Sequence, residues 1–361
     1  MKSVLVSSLC IACVAVFLVT LVRPAEAAVR TYYIAADEMV WNYAPSGRDL
    51  IDGGALQPLG PSQLGWSYRK ALYREYTDAT FKHLKSRPPD EAYLGLLGPV
   101  LRAEVGDTIV VHFENDTPLA LSMHPHGLLY AKSSEGAPYR DGTSTNGKLS
   151  GAVAPGAAYT YVWKVPERAG PGPMDGSSVV WMYHSHTNET EDVDTGPIGP
   201  IVVTAKGMAR PDGSPKDVDA EVFTLFAEYV ETQSRLFNAS LADPKVNPRH
   251  ITMKSPALDE SNSIVSINGY SFGNMPMIDL KRGEHVRWYV LATMSEFDFH
   301  APDWHGETVM SDGNRTNVIQ LGPMDMKAVD MWPDNPGTWL FNCDINVHRM
   351  AGMTARYTVT P

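Results

Sequence analysis

The chain is predicted to be an all-β protein built from two similar halves. Short apolar runs, many of them β-branched or aromatic, recur between turns rich in glycine, proline and aspartate. Residues 108–113, 159–163, 285–290 and 338–341 are such runs, and no long stretch has a helical period. Short strands at this spacing are typical of β-sandwiches and β-barrels.

Motifs in the first half recur in the same order in the second half, which indicates a duplicated domain. A hydrophilic stretch rich in glycine, proline and charge separates the halves and is typical of a linker. We therefore predict a first domain at residues 28–205, a linker at 206–218 and a second domain at 219–361. The matching motifs are 103–108 with 280–285, His124-Pro125-His126-Gly127 with Asp303-Trp304-His305-Gly306, and Tyr183-His184-Ser185-His186 with Phe341-Asn342-Cys343-Asp344.

The N-terminus predicts an export signal over residues 1–27. Lys2 precedes an apolar run at 4–22, and Ala25 and Ala27 form a small-residue cleavage pattern. We expect a secreted or periplasmic protein. The apolar run is long for a signal peptide, so an uncleaved membrane anchor is the alternative.

Charge and cysteine content limit the classes of partner. The formal net charge is −11, without a clustered basic stretch, and this argues against nucleic acid as a partner. Cys10 and Cys13 lie inside the export signal, so Cys343 is the one cysteine expected in the mature chain. It cannot form an internal disulfide, which favours a ligand role.

Cys343, His348 and Met353 have the spacing C-x4-H-x4-M. A loop of this length can direct a thiolate, an imidazole and a thioether at one metal, and a further imidazole from another strand completes a type 1 (blue) copper site. His300 is the candidate for that imidazole. The alternative is a buried thiol beside an unrelated histidine and methionine.

Two His-x-His pairs in the first half predict a second metal centre. Residues two apart on an extended chain point the same way, so His124 with His126, and His184 with His186, can each present two imidazoles to one cavity. Four imidazoles suit copper or zinc. The alternative is a set of ordinary surface or core histidines.

These motifs resemble those of the multicopper oxidases, in particular the two-domain modules of ceruloplasmin and hephaestin. The resemblance runs from about residue 30 to about residue 360. Besides the histidine and cysteine motifs, it includes residues 93–99 and 196–200. It implies two tandem cupredoxin-like Greek-key β-barrels, copper as the cofactor, and a homotrimer in which the first domain faces the second domain of a neighbour.

The resemblance also implies a role for each ligand. A type 1 copper held by His300, Cys343, His348 and Met353 takes electrons from the reductant. A trinuclear cluster then passes them to dioxygen. In the family pattern His124 faces the type 2 copper of this cluster. His126, His184 and His186 face the type 3 pair.

This chain departs from the pattern in both domains. Three cluster imidazoles of the second domain are replaced by Asp303, Asn342 and Asp344, and His305 alone remains there. We expect Asp303 and Asp344 to act as ligands or proton donors. In the first domain, Leu121 and Ser185 stand where a type 1 site would have histidine and cysteine.

The leading hypothesis is a secreted copper-dependent oxidoreductase. It would oxidise a metal ion or small organic reductant and reduce dioxygen or another small acceptor. The alternative is a non-enzymatic blue-copper electron carrier, or a copper-binding protein with a decayed trinuclear cluster. A trimer like the nitrite reductases fits the ligand count, but those enzymes carry the type 1 site in the first domain.

Overall fold

The computed structural model describes residues 27–57, 60, 62–142, 149–249, 251, 261–293 and 299–361. The predicted export signal therefore lies, except for its last residue, outside the described residues. So do Cys10 and Cys13.

The N-terminal barrel consists of two facing sheets made by nine strands. One sheet has the order β2-β1-β4-β7-β6 and the other β3-β9-β8-β5. Their strands are β1 Val29–Asn42, β2 Ser67–Tyr76, β3 Leu101–Glu104, β4 Thr108–Asp116, β5 His124–Pro125, β6 Leu129–Tyr130, β7 Ala158–Lys164, β8 Ser178–His184 and β9 Ile198–Thr204.

The C-terminal barrel repeats this arrangement with ten strands. Its sheets have the orders β11-β10-β13-β17-β15-β16 and β12-β19-β18-β14. The strands are β10 Ala220–Val230, β11 Ser263–Ile267, β12 Ile278–Lys281, β13 Val286–Ala292, β14 Pro302–Trp304, β15 Val309–Ser311, β16 Asn314–Thr316, β17 Met326–Met331, β18 Gly337–Cys343 and β19 Thr354–Thr360. The apolar runs predicted as strands correspond to β4, β7, β13 and β18.

Matching strands of the two barrels pair in the same way. β1 is parallel to β4 and antiparallel to β2, as β10 is parallel to β13 and antiparallel to β11. At the edge of the smaller sheet, β5 pairs with β8 and β14 pairs with β18, both antiparallel. The duplication seen in the motifs is thus also a duplication of strand pairing.

Helical segments among the described residues are short and connect strands. They are α1 Glu189–Thr195, α2 Phe237–Ala242 and α3 Asn346–Met350, with 3-10 turns at Pro89–Leu94, Lys132–Ser134, Glu167–Ala169 and Glu231–Gln233. None of the helices in the described part of the chain has the length and apolar character needed to span a membrane.

The two barrels share a continuous buried core. Tyr43 and Leu72 of the N-terminal barrel belong to the same hydrophobic cluster as Phe226 and Trp288 of the C-terminal barrel. This interface also buries the ion pair between Lys70 Nζ and Glu231 Oε1, which are 2.6 Å apart. Because a buried charge is costly without a partner, the pair favours one relative placement of the barrels.

Candidate metal centres

A thiol and two imidazoles converge at one end of the C-terminal barrel. The ligand atoms of His300, Cys343 and His348 all lie within 4.8 Å of one another. Cys343 Sγ is 3.5 Å from His348 Nδ1, and the His300 and His348 ring centroids are 5.2 Å apart. All three side chains are buried. No other group of three or more histidine, cysteine and acidic ligand atoms this close together occurs in the described part of the chain.

Strand pairing and a short helix bring these three residues together. Cys343 ends β18, and its Cα partner across the ladder is Pro302 of β14, two residues after His300. The backbone N–H of Ala301 donates to Cys343 Sγ at 3.3 Å. His348 lies in α3, which turns the chain back toward the strand end. A strand edge and one helical turn thus meet at the sulfur.

Met353 lies on the far side of the same loop. Its backbone N–H donates to His348 O at 2.9 Å, and its carbonyl accepts from Cys343 N at 3.1 Å. Its side chain is fully buried in the cluster that also contains Cys343. Gly352, with a φ of +103°, packs so closely on Phe272 that a Cβ would lie 2.5 Å from the ring. The loop can close at this position only with glycine.

The donors of this group fit copper. A thiolate and two imidazoles with a weakly bound thioether are the ligand set of type 1 copper proteins. The backbone amide on the sulfur is the kind of hydrogen bond that tunes such a thiolate. Burial of all three donors excludes water from the centre.

Four imidazoles gather at the corresponding end of the N-terminal barrel. Ladder pairing places His124 of β5 opposite His184 of β8. His126 Nε2 and His184 Nε2 are 3.0 Å apart. The centroid of the His124 ring is 5.0 Å from that of His186. The two His-x-His pairs therefore face one another.

Backbone carbonyls orient two of these rings. His124 Nδ1 lies 2.6 Å from Glu135 O, and His184 Nδ1 lies 3.0 Å from Ser185 O. Because a carbonyl only accepts, each Nδ1 carries the hydrogen, and Nε2 is left with its lone pair. A fixed tautomer with Nε2 directed into the group is the usual arrangement of a metal-binding histidine.

Burial keeps His124, His126 and His184 neutral near pH 7. It lowers the pKa of His126 to about 4. It also lowers the pKa of His124 and, well below its usual range, the pKa of His184. Neutral imidazole is the form that binds metal, so protons compete weakly for these ligands at neutral pH.

Comparison with known proteins identifies the family. Two models described as multicopper oxidase match residues 94–207 and 243–361, which together are more than half of the chain. The chain belongs to the multicopper oxidase family.

Relatives of this multicopper oxidase include larger proteins. Human "Ferroxidase HEPHL1" is 40% identical over 340 residues, covering 91% of this chain and 29% of that protein. Mouse hephaestin is 36% identical, covering 93% and 30%. Human ceruloplasmin is 36% identical, covering 92% and 32%. The chain thus spans about a third of the length of these relatives.

Solved structures of multicopper oxidases share the fold. A multicopper oxidase named mgLAC superposes with a TM-score of 0.60 at 19% identity, covering 93% of this chain and 88% of that one. The blue copper oxidase from Nitrosomonas europaea superposes with a TM-score of 0.56 at 18% identity, covering 92% and 86%. The prediction of two tandem cupredoxin-like barrels is confirmed.

The C-terminal barrel of this multicopper oxidase presents different groups where the N-terminal barrel has histidines. Asp303 of β14 is the ladder partner of Asn342 in β18, the pairing that joins His124 to His184 in the other barrel. Asp303 Oδ2 is 3.2 Å from His305 Nε2. Asp344 is half exposed, with Oδ1 3.9 Å from Arg349 Nη1. No hydrogen bond, ion pair or ring contact among the described residues joins these groups to the four histidines.

Some contacts of the histidine group were not foreseen. Glu189, the first residue of α1, has Oε2 3.1 Å from His186 Nε2. The position of Glu189, three residues after His186, was the feature of the sequence that could have indicated this contact. The carbonyl of Glu135 beside His124 left no signal, because any residue carries a carbonyl.

Proposed function

We propose that this chain is a secreted copper-dependent oxidoreductase that passes electrons from a type 1 copper to a second copper centre. The observation that carries the proposal is the convergence of His300, Cys343 and His348 in one buried group. Copper bound there would supply one-electron redox chemistry, cycling between Cu(II) and Cu(I). Met353 would supply a thioether to the same copper.

The residues of the type 1 group then have defined tasks. Cys343 would hold the metal as a thiolate, and the Ala301 amide at 3.3 Å would stabilise its charge. His300 and His348 supply the two imidazoles. Because the donors come from a strand end and a tightly closed loop, the protein would hold them in place whether a bound copper is oxidised or reduced.

The second centre is proposed at His124, His126, His184 and His186, with His305 contributed by a C-terminal barrel. His305 makes no contact with the other four among the described residues, so a neighbouring subunit is the proposed source. This supports a homotrimer in which N-terminal and C-terminal barrels of different subunits meet. Three subunits arranged head to tail close such a ring.

Asp303 and Asp344 are proposed to handle protons or to replace ligands. Reduction of dioxygen or another small acceptor consumes protons. Asp303 is buried beside His305 and can pass a proton to or from that imidazole. Asp344 is half exposed and can exchange protons with solvent.

Substrates are proposed by class. The reductant is a metal ion or a small organic molecule, and the ferroxidase name of a relative 40% identical to this chain supports a metal ion. The acceptor is dioxygen or another small molecule. We also propose domains at 28–205 and 219–361, the linker at 206–218 and removal of an export signal at 1–27.

Electron paramagnetic resonance of the copper-loaded mature protein tests the proposal. Spins are counted against total copper, and the oxidation rates of Fe(II) and of a phenolic reductant are measured on the same sample. We expect a type 1 signal with additional type 2 or EPR-silent copper, and turnover with at least one reductant. A type 1 signal alone, with spins equal to copper and no turnover, supports the electron carrier instead.

A further inference from the structure

In the N-terminal barrel, a serine that is hydrogen-bonded to a buried carboxylate occupies the position that Cys343 occupies in the C-terminal barrel. Ser185 stands at the position of Cys343, and its Oγ donates to Asp192 Oδ2 at 2.6 Å. Asp192, in α1, is completely buried. The same Oδ2 accepts the backbone N–H of Asn188 at 3.0 Å. A buried carboxylate with two donors on one oxygen needs a cation at the other oxygen.

The cation comes from the C-terminal barrel. Arg235 follows β10, and its Nη1 lies 2.5 Å from Asp192 Oδ1. The same nitrogen donates to Ala120 O at 2.9 Å. The backbone N–H of Arg235 donates to Thr195 Oγ1, at the end of α1, at 3.0 Å. Arg235 is thus bound to the N-terminal barrel through both its guanidinium and its backbone.

The carboxylate is also linked to both His-x-His segments. Ser122, two residues before His124, donates its backbone N–H to Ser185 Oγ at 3.1 Å. Ser122 Oγ in turn accepts the backbone N–H of His186 at 3.0 Å. Ser185 itself lies between His184 and His186. A continuous set of hydrogen bonds therefore runs from Arg235 through Asp192 to the backbone that carries the four imidazoles.

We propose that Asp192 and Arg235 are positioning residues for the four-histidine centre. The inference rests on the proposed function, because it assumes that these histidines hold metal. The buried ion pair sets the separation of the His124 segment from the His184 segment, and it makes that separation depend on the seating of the C-terminal barrel. The position that would hold copper in the C-terminal barrel would thus serve in the N-terminal barrel to hold the ligands of a different centre.

The typical effect of residues that support metal ligands gives the expected size of the change in copper affinity. Loss of a residue that orients a metal ligand through hydrogen bonds typically weakens metal binding about 10- to 100-fold. Removing Arg235 alone leaves Asp192 buried without its cation, which also destabilises the fold. The double change Asp192→Asn with Arg235→Met removes both charges, so it breaks the link without an uncompensated buried carboxylate.

The test compares three variants with the parent protein. Arg235→Gln and the double variant break the link, and Arg69→Gln is the matched control. Arg69 also forms an ion pair between the barrels, with Nη2 2.8 Å from Asp243 Oδ2. Arg69 forms hydrogen bonds with the side chains of Glu38, Asp243 and Ser240, none of which belongs to the histidine segments. Copper affinity of the second centre is measured by chelator competition, and histidine ring signals of the metal-free protein by NMR.

We expect the double variant to bind copper at the second centre about 10- to 100-fold more weakly, with the blue absorption of the type 1 site unchanged. The four histidine ring signals should shift in the metal-free double variant and in Arg235→Gln, but not in Arg69→Gln. Unchanged ring signals in the double variant overturn the inference. If the parent binds no second copper, the proposed function fails, and the ring signals still decide whether the link positions the histidines.

Discussion

In the N-terminal barrel, β8 leads into Ser185, whose hydroxyl is bonded to the carboxylate of Asp192. In the C-terminal barrel, β18 ends at Cys343, whose sulfur lies 3.5 Å from His348 Nδ1. Each strand is followed by a short helix, and that helix carries the partner. Both ends are buried and polar, so the fold tolerates either an ion pair or a metal group there. The chemistry depends on very few side chains.

At a second pair of matching positions, it is the N-terminal barrel that has the metal-binding side chains. His124 and His184 are ladder partners in the N-terminal barrel, whereas Asp303 and Asn342 are ladder partners in the C-terminal barrel. The N-terminal barrel thus has imidazoles where the C-terminal barrel has a carboxylate and an amide, and it has a serine where the C-terminal barrel has Cys343. Each barrel therefore carries a different part of the proposed ligand set.

Exchanging the residues of the two strand ends is the strongest test of this comparison. Cys343→Ser gives the C-terminal barrel the residue of the N-terminal one and should abolish all blue absorption, since no thiolate remains to donate charge to copper. Ser185→Cys should create no second blue site, because Leu121 supplies no imidazole. Absorption and EPR spectra of copper-loaded variants measure both. Blue colour retained in Cys343→Ser contradicts the type 1 assignment.

Asp194, in the helix α1 that follows β8, should make the free energy of unfolding depend on pH. Asp194 of α1 accepts the backbone N–H of Val230 at 2.9 Å, beside Lys70 and Glu231. Burial raises its pKa to about 7. The folded state therefore binds a proton that the unfolded state has released between about pH 4 and pH 7. Stability consequently falls as pH rises through this range.

Asp194→Asn should remove this pH dependence. Between pH 5 and pH 8 we expect the parent to lose about 2 kcal/mol of unfolding free energy relative to the variant. Urea unfolding of the metal-free protein at both pH values measures the difference. Asp279→Asn, at an exposed position of β12, is the control and should follow the parent. Parallel pH profiles for the parent and Asp194→Asn contradict the prediction.

The smallest expected effect is at Asn342, which occupies the ladder position that His184 occupies in the N-terminal barrel. Asn342 is completely buried, and neither its Nδ2 nor its Oδ1 has a hydrogen-bond partner among the residues that the structure describes. An apolar side chain of similar volume avoids this desolvation cost, so Asn342→Leu should stabilise the metal-free protein by about 1 kcal/mol. Thermal unfolding measures the change.

The matched control for this prediction is Asn262→Leu. Asn262 is equally buried, but its Oδ1 accepts from Leu64 N at 3.0 Å and from Tyr68 OH at 2.8 Å. Loss of these bonds should make the control less stable than the parent. If Asn342→Leu is also destabilised, the Asn342 amide has a role in packing or binding that its surroundings do not indicate.

Local motifs made most of the candidate sites predictable. Cys343, His348 and Met353 lie within one loop, and the spacing of a loop restricts where its side chains can point. The sequence also predicted that the two histidines of each His-x-His pair point the same way, because alternate residues of a strand share a face. Repetition of both motifs then indicated the duplicated fold, whose strand pairing brings His300 to Cys343.

Contacts between distant segments were not predictable. Arg235 belongs to no motif, and nothing in its neighbourhood along the chain indicates a partner in α1. The same holds for Lys70 and Glu231, which are 2.6 Å apart in the interface of the barrels. The lack of partners around Asn342 is likewise a property of its surroundings and not of the residue.

The sequence alone therefore determined the fold class and the donor atoms, since periodicity and spacing act through bonded geometry over a few residues. Tertiary structure decided which of these donors meet, what holds them in place and which buried groups stay charged. Those outcomes depend on packing between segments far apart in the chain. There, burial and the need to pair every charge select one partner from many of the same chemical type.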